Sequence, residues 1–276
     1  MRPSNAVRTV WDAEAIDTSH LGFRPIQKIA TIHASSGFIR GIPIKGRLPA
    51  AMSKKPDIVF LFDVDNTLID NDRVQAHLSE HLEQTYGSAT RDRYWQIFED
   101  LRSELGYADY LGALERYRIE DLGRPEVLRM SSWLVDYPFV DRLYPRALEA
   151  VKHVQQWGTA VILSDGDAVF QPRKVERSGL WDAFENRVLI YIHKEEELDN
   201  VERLYPADRY VMIDDKLRIL SAVKKIWGER VTTVFPKQGH YALDPKVLAE
   251  YPPADIELGK IGDLLAYDLS AFVRNS

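Results

Sequence analysis

Asp57-Ile58-Val59-Phe60-Leu61-Phe62-Asp63-Val64-Asp65-Asn66-Thr67-Leu68-Ile69-Asp70 is the stretch on which the reading of the fold turns. Five apolar residues run unbroken from Ile58 to Phe62, and two carboxylates follow with one residue between them. An apolar run of strand length, without alternation, reads as a strand covered on both faces, as in a parallel sheet. Ligands of open α/β sheets bind just beyond the carboxyl ends of the strands. One acid of such a pair can act as nucleophile and the other as acid/base, with a divalent cation offsetting their repulsion. Alone, Asp-x-Asp also reads as an acidic turn after a buried strand. The rest of the chain decides between the two.

Downstream, strands and helices alternate. Thr159 to Ser164 reads as a buried strand, Arg187 to Ile192 as another, then Arg209 to Ile213 and Val231 to Phe235. Helical patterns lie between them, over Gln171 to Ser178, Lys194 to Leu204 and Leu217 to Trp227, and a terminal helix is expected over Ile256 to Val273. Strands alternating with helices in this way predict an α/β fold with a doubly wound, mostly parallel sheet. Between Asp70 and Tyr137 strand alternation is absent. Val74, Leu78 and Leu82 recur every four residues, and Tyr94, Ile97, Phe98 and Leu101 continue the helical period. An all-helical insert over 71–137 is therefore expected between the first strand and the remainder of the core, 52–70 and 138–276. Residues 1–51 show no sustained period and read as a poorly ordered extension, before a start-like Met52-Ser53-Lys54-Lys55.

Composition narrows the function. The chain has 276 residues, 45% hydrophobic, with a net charge of −6, which argues against nucleic acid as the main partner. There is no cysteine, so disulfides and thiolate chemistry are excluded. No apolar run reaches the ~18 residues of a membrane span, and the cytoplasm is the default location. Monomer and homodimer both remain open.

Polar groups gather at the strand ends. Asp63 and Asp65 close the first, Ser164-Asp165-Gly166-Asp167 the second, Lys194 follows the third, and Asp214-Asp215 close the fourth. Oxygen ligands without His or Cys suit Mg²⁺, while hydroxyl, ammonium and backbone N–H groups suit a phosphate dianion. Lys174, inside a short helix, is the rival to Lys194 and reads as solvated surface. Asp167 reads as a helix cap, and His193 and His240 as packing or surface residues. Gln238-Gly239-His240 is a weak substrate-contact candidate.

The four groups, in this order, resemble the motifs of the haloacid dehalogenase-like hydrolases, from about Met52 to the C-terminus. The resemblance implies a Rossmann-like core of strand order 3-2-1-4-5 and a mobile helical cap. It implies Asp63 as nucleophile, forming an aspartyl-phosphate, and Asp65 as acid/base. Ser164, with the backbone at Asp165 and Gly166, would hold the phosphoryl oxygens, and Lys194 would offset charge there. Asp63, the carbonyl of Asp65, Asp214 and Asp215 would hold Mg²⁺. Many relatives carry Gly-Asp with a further acid four residues on; here Asp214 precedes Asp215 and position 219 is Ile. Which of the pair touches the metal stays open. The function expected is an Mg²⁺-dependent phosphatase acting on a small phosphorylated metabolite. A phosphotransferase or mutase using the same nucleophile is the alternative, and a silent binding module is a third reading. Phosphonate cleavage needs a lysine from the cap, and Val74 to Leu134 contains none.

Overall fold

The computed structural model describes residues 58–120, 123 and 125–269. The expected extension, 1–51, lies outside the described residues. β1 (Ile58–Phe62) is buried along its whole length. Its side chains alternate between two cores, as the pleat requires. Ile58, Phe60 and Phe62 enter one apolar cluster, and Val59 and Leu61 enter the other. Removing each such side chain from water contributes about 1.5–3 kcal/mol, so this strand anchors both layers of the fold.

The helical insert follows. It comprises α1 (Asn71–Tyr86), α2 (Ser88–Leu105), α3 (Tyr110–Glu120) and α4 (Arg129–Asp136). Val74, Leu78 and Leu82 are buried on α1, and Tyr94, Ile97, Phe98 and Leu101 on α2, as their spacing predicts. Asp70 caps α1 by accepting from the Arg73 amide. The insert's two ends meet at one place. The Asp70 amide donates to the Arg142 carbonyl at 2.8 Å, and the Tyr144 amide to the Leu68 carbonyl at 2.9 Å.

The core then resumes with α5 (Ala147–Val154), β2 (Thr159–Asp165), α6 (Phe170–Arg177), α7 (Leu180–Ala183) and β3 (Val188–Tyr191). Next come α8 (Leu198–Leu204), β4 (Arg209–Ile213), α9 (Leu217–Trp227), β5 (Val231–Pro236), α10 (Gly239–Leu243), α11 (Pro245–Glu250) and β6 (Ile256–Leu258). The sheet is parallel, in the order β3-β2-β1-β4-β5-β6. The expected order is thus present and extended by a sixth strand at the β5 edge.

That strand corrects the expected terminal helix, of which 270–273 lie outside the described residues. Ile256 to Leu258 pair with Val234 to Pro236, and Ile261 to Ala266 form a 3₁₀ turn instead of continuing a helix. Gly259 and Gly262 interrupt the segment, and β-pairing at the sheet edge outweighs a weak helical period. The predicted helix from Lys194 to Leu204 is also broken, into a 3₁₀ turn at Lys194–Glu196 and α8. Among the described residues, no helix is long and apolar enough to cross a membrane.

Candidate active site

Register brings the strand ends together. Phe62 lies opposite Ile162 of β2 and Ile213 of β4. Asp63 and Asp214 are therefore each the first residue past neighbouring strand ends, and the Asp63 amide donates to the Ile213 carbonyl at 2.9 Å. Asp63, Asp214 and Asp215 are all buried, and one carboxylate oxygen from each lies within 4.8 Å of the others.

Lys194 answers this charge from the end of β3. Its Nζ is 2.5 Å from Asp63 Oδ1 and 2.6 Å from Asp214 Oδ2. The Asp165 carboxylate places it by accepting the Lys194 amide at 2.8 Å. This contact accounts for the broken helix: the turn is bent to deliver the ammonium inward. Burial alone lowers the Lys194 pKa, but Asp214, Asp63 and Asp165 outweigh it and hold it well above the usual value.

A second cation, Lys216, carries no signal in the sequence. Burial works against its charge, yet Asp215, Asp63 and Asp214 raise its pKa. Three clustered carboxylates thus face two ammonium groups. The remaining negative charge is held open: Asp63 Oδ2 and both oxygens of Asp215 are buried without a hydrogen-bond partner. Asp214 is engaged on both sides, since its Oδ1 accepts the Lys216 amide at 2.8 Å while its Oδ2 faces Lys194. Orphaned, all-oxygen donors of this kind fit a hard divalent cation such as Mg²⁺. Asp215 is the member of the pair with both oxygens available.

Asp65 stands apart from this cluster. Its oxygens accept from Lys174 Nζ at 2.7 and 2.9 Å, and the same ammonium donates to Asn71 Oδ1 at 3.1 Å. The reading of Lys174 as solvated surface is corrected here: the side chain is fully buried. Both lysines therefore reach the site, one at each acid of the first motif. Ser164 Oγ accepts from Gln171 Nε2 at 3.0 Å. The Gly166 amide is committed to the Tyr191 carbonyl at 2.9 Å, so in this conformation it is not free to meet an anion. Glycine is required at 166 because a Cβ there would come within 2.5 Å of the Gln171 side chain.

The turn after Asp65 is fixed from behind. Asn66 adopts a left-handed conformation, φ 59°, which Asn tolerates better than most residues. Gln238 donates to the Asn66 and Thr67 carbonyls at 3.2 and 3.0 Å, so it braces the turn. Gly239, φ +72°, allows the close approach, since a Cβ would meet Asn66 at 2.5 Å. The N-cap of α6 is Val169, not the expected Asp167, which lies two residues earlier and accepts the amides of Val169 and Phe170 at 2.7 Å. His240 is half exposed and pairs with Asp72 at 2.6 Å, and the His193 ring packs against Gly106.

A model of the family described as haloacid dehalogenase-like hydrolase matches residues 59–226. A crystal structure described as a haloacid dehalogenase-like hydrolase from Burkholderia xenovorans LB400 is 61% identical, with TM-score 0.76, and covers 78% of this chain and 98% of its own. L-2-haloacid dehalogenase from Xanthobacter autotrophicus is 19% identical with TM-score 0.51, covering 79% of this chain and 98% of its own. The HAD-hydrolase YfnB from Bacillus subtilis, bound to magnesium, is 16% identical with TM-score 0.50, covering 77% and 98%. These two share the fold. No curated protein matches. The chain belongs to the haloacid dehalogenase-like hydrolase family.

The charges of the site have a measurable consequence. Burial pushes the Asp214 carboxyl up to about 6 and Asp215 well above its ordinary value. An acid whose folded pKa exceeds its unfolded value makes the folded state bind more protons in between. These groups therefore lower stability as pH rises from about 4 upward. A divalent cation relieves that loss only where the acids are ionised. The expected result is a larger rise of Tm on adding MgCl₂ at pH 7.5 than at pH 5, read by thermal melts. Equal rises at both would exclude the triad as the cation site.

Proposed function

We propose that this chain is an Mg²⁺-dependent phosphatase of small phosphomonoesters, working through an aspartyl-phosphate on Asp63. One Asp63 oxygen attacks phosphorus, and the bond from phosphorus to the leaving oxygen breaks. Asp65 gives that oxygen a proton. Asp65 then takes a proton from water as the water attacks phosphorus, the bond to Asp63 breaks, and inorganic phosphate leaves. Lys194 offsets charge between Asp63 and the phosphoryl group, and Ser164 Oγ is the hydroxyl donor to its oxygens. Lys174 fixes where the Asp65 oxygens stand. Asp63, Asp215 and the Asp65 carbonyl would hold Mg²⁺, which supplies charge neutralisation for the phosphoryl oxygens. The helical insert acts as a lid that excludes water during attack.

Asp65 carries this reading. It lies two residues past the nucleophile, anchored by Lys174 and partly exposed, with 23% side-chain exposure. Dehalogenases of the family attack carbon, lack this second acid and need no metal, so Asp65 has no use in that reaction. The deciding experiment offers p-nitrophenyl phosphate and L-2-chloropropionate side by side. Phosphate release that is abolished by EDTA and restored by Mg²⁺, with no chloride release, is the expected outcome. Chloride release unaffected by EDTA would establish the dehalogenase reading instead. Transfer of the phosphoryl group to added alcohol in preference to water would mark a phosphotransferase.

A further inference from the structure

A cavity of about 330 Å³ runs from Asp65 outward between the insert and the core. Three cationic side chains line it: Arg102 from α2, and Lys216 and Arg218 from the start of α9. Two of them are already matched. Lys216 sits in the field of the triad, and Arg218 is ion-paired with Glu195. Arg102 is different. Among the described residues its side chain pairs only with Glu99, a single 3.4 Å approach to a half-exposed side chain one turn earlier. Arg93, Arg116 and Arg118 of the same insert hold carboxylates at 2.7 Å or closer.

The anions lining the cavity do not answer Arg102 either. Asp65 is taken by Lys174, Asp165 by the Lys194 amide, and Glu250 by a hydrogen bond with Tyr251. A guanidinium near a helix C-terminus also gains from the helix dipole, and an exposed i,i+3 pair adds a few tenths of a kcal/mol. Neither effect requires the side chain to border the cavity that opens on Asp65. Tyr107 and Tyr241, half buried, add flat faces to the same cavity.

We propose that the substrate carries a second anionic group, a carboxylate or a second phosphate, which Arg102 binds at the insert wall. Its body is compact and flat, lying against Tyr107 and Tyr241, with the scissile phosphate at Asp63. The guanidinium fork matches either anion in bidentate fashion. This inference rests on the phosphatase reading and names the substrate class for it.

Four aryl phosphates test it: phenyl phosphate, 4-carboxyphenyl phosphate, its neutral isostere 4-carbamoylphenyl phosphate, and benzene-1,4-bisphosphate. Wild-type protein with Mg²⁺ is expected to favour the carboxylate over the amide at least tenfold in kcat/KM, with the difference carried by KM. In Arg102→Ala that ratio falls to about one, and Arg102→Lys retains part of it. The bisphosphate arm tells whether a second phosphate is preferred to a carboxylate. No discrimination by the wild type, or a ratio that survives in Arg102→Ala, overturns the proposal and leaves the phosphatase reading standing. Hydrolysis of none of the four overturns both.

Discussion

Asp63→Asn is expected to reduce phosphate release to background, while Asp65→Asn releases one equivalent of p-nitrophenol and then stalls. The first substitution keeps the shape of the side chain and removes the nucleophile. The second removes proton transfer, a contribution typically worth about 10²–10⁴-fold, and with it the negative partner of buried Lys174. Nitrophenolate leaves with little protonation, so phosphoenzyme formation survives in Asp65→Asn. Hydrolysis of that intermediate still needs a base to activate water, and phosphate accumulates on Asp63. The signature is a nitrophenol burst close to one per active site, with label that is stable to acid and released by base. Equal inactivation of both variants without a burst would leave Asp65 a structural role through Lys174. Undiminished turnover in Asp63→Asn would sink covalent catalysis at this site.

Lys194→Met is expected to damage stability and catalysis together. Its ammonium lies between Asp63 and Asp214, all three buried. Removing one partner of a buried ion pair typically costs about 3–5 kcal/mol because the other is left uncompensated. On the proposed mechanism the same cation offsets charge on the nucleophile, and loss of one such electrostatic contact costs about 10²–10³ in kcat. The variant should melt lower than wild type, regain more Tm from Mg²⁺ than wild type does, and turn over at least a hundredfold more slowly. Wild-type kcat in a merely less stable variant would reduce Lys194 to a structural counter-ion.

The parts of the site legible in the sequence are those that local pattern determines. Asp63, Ser164 and Asp214 each close an apolar run, and parallel pairing sends all such ends to one edge. Lys194 was placed by the same reasoning. Lys174 is not legible as a site residue, because a lysine on an eight-residue helix looks alike whether it meets water or Asp65. Only the packing of α6 against the β1 turn distinguishes them. Lys216 carried no periodic signal, since its importance comes from the three carboxylates around it. Gln238 was legible as lying on the active edge, but its use as a brace for Asn66 and Thr67 depends on contacts 171 and 172 residues apart in the chain. The sixth strand is not legible because its three residues make a helical face as readily as a strand, and β5 decides the matter.

The paired backbone hydrogen bonds at Asp70–Arg142 and Leu68–Tyr144 bear on how such a chain can change. They clip together the two ends of the helical insert, so β1 and β2 are joined, in effect, by a short connector with a self-contained loop hanging from it. Loop-closure entropy grows only with the logarithm of length; even without the clip, tripling the loop would cost about 1 kcal/mol. With the clip, the assembly of the central strands is nearly indifferent to what hangs there. An insert can lengthen, shorten or be exchanged without dismantling the carboxylates at the strand ends. On the reading proposed above, Arg102 and Tyr107 lie on the insert and the reacting carboxylates at the strand ends, stretches of chain free to diverge at different rates.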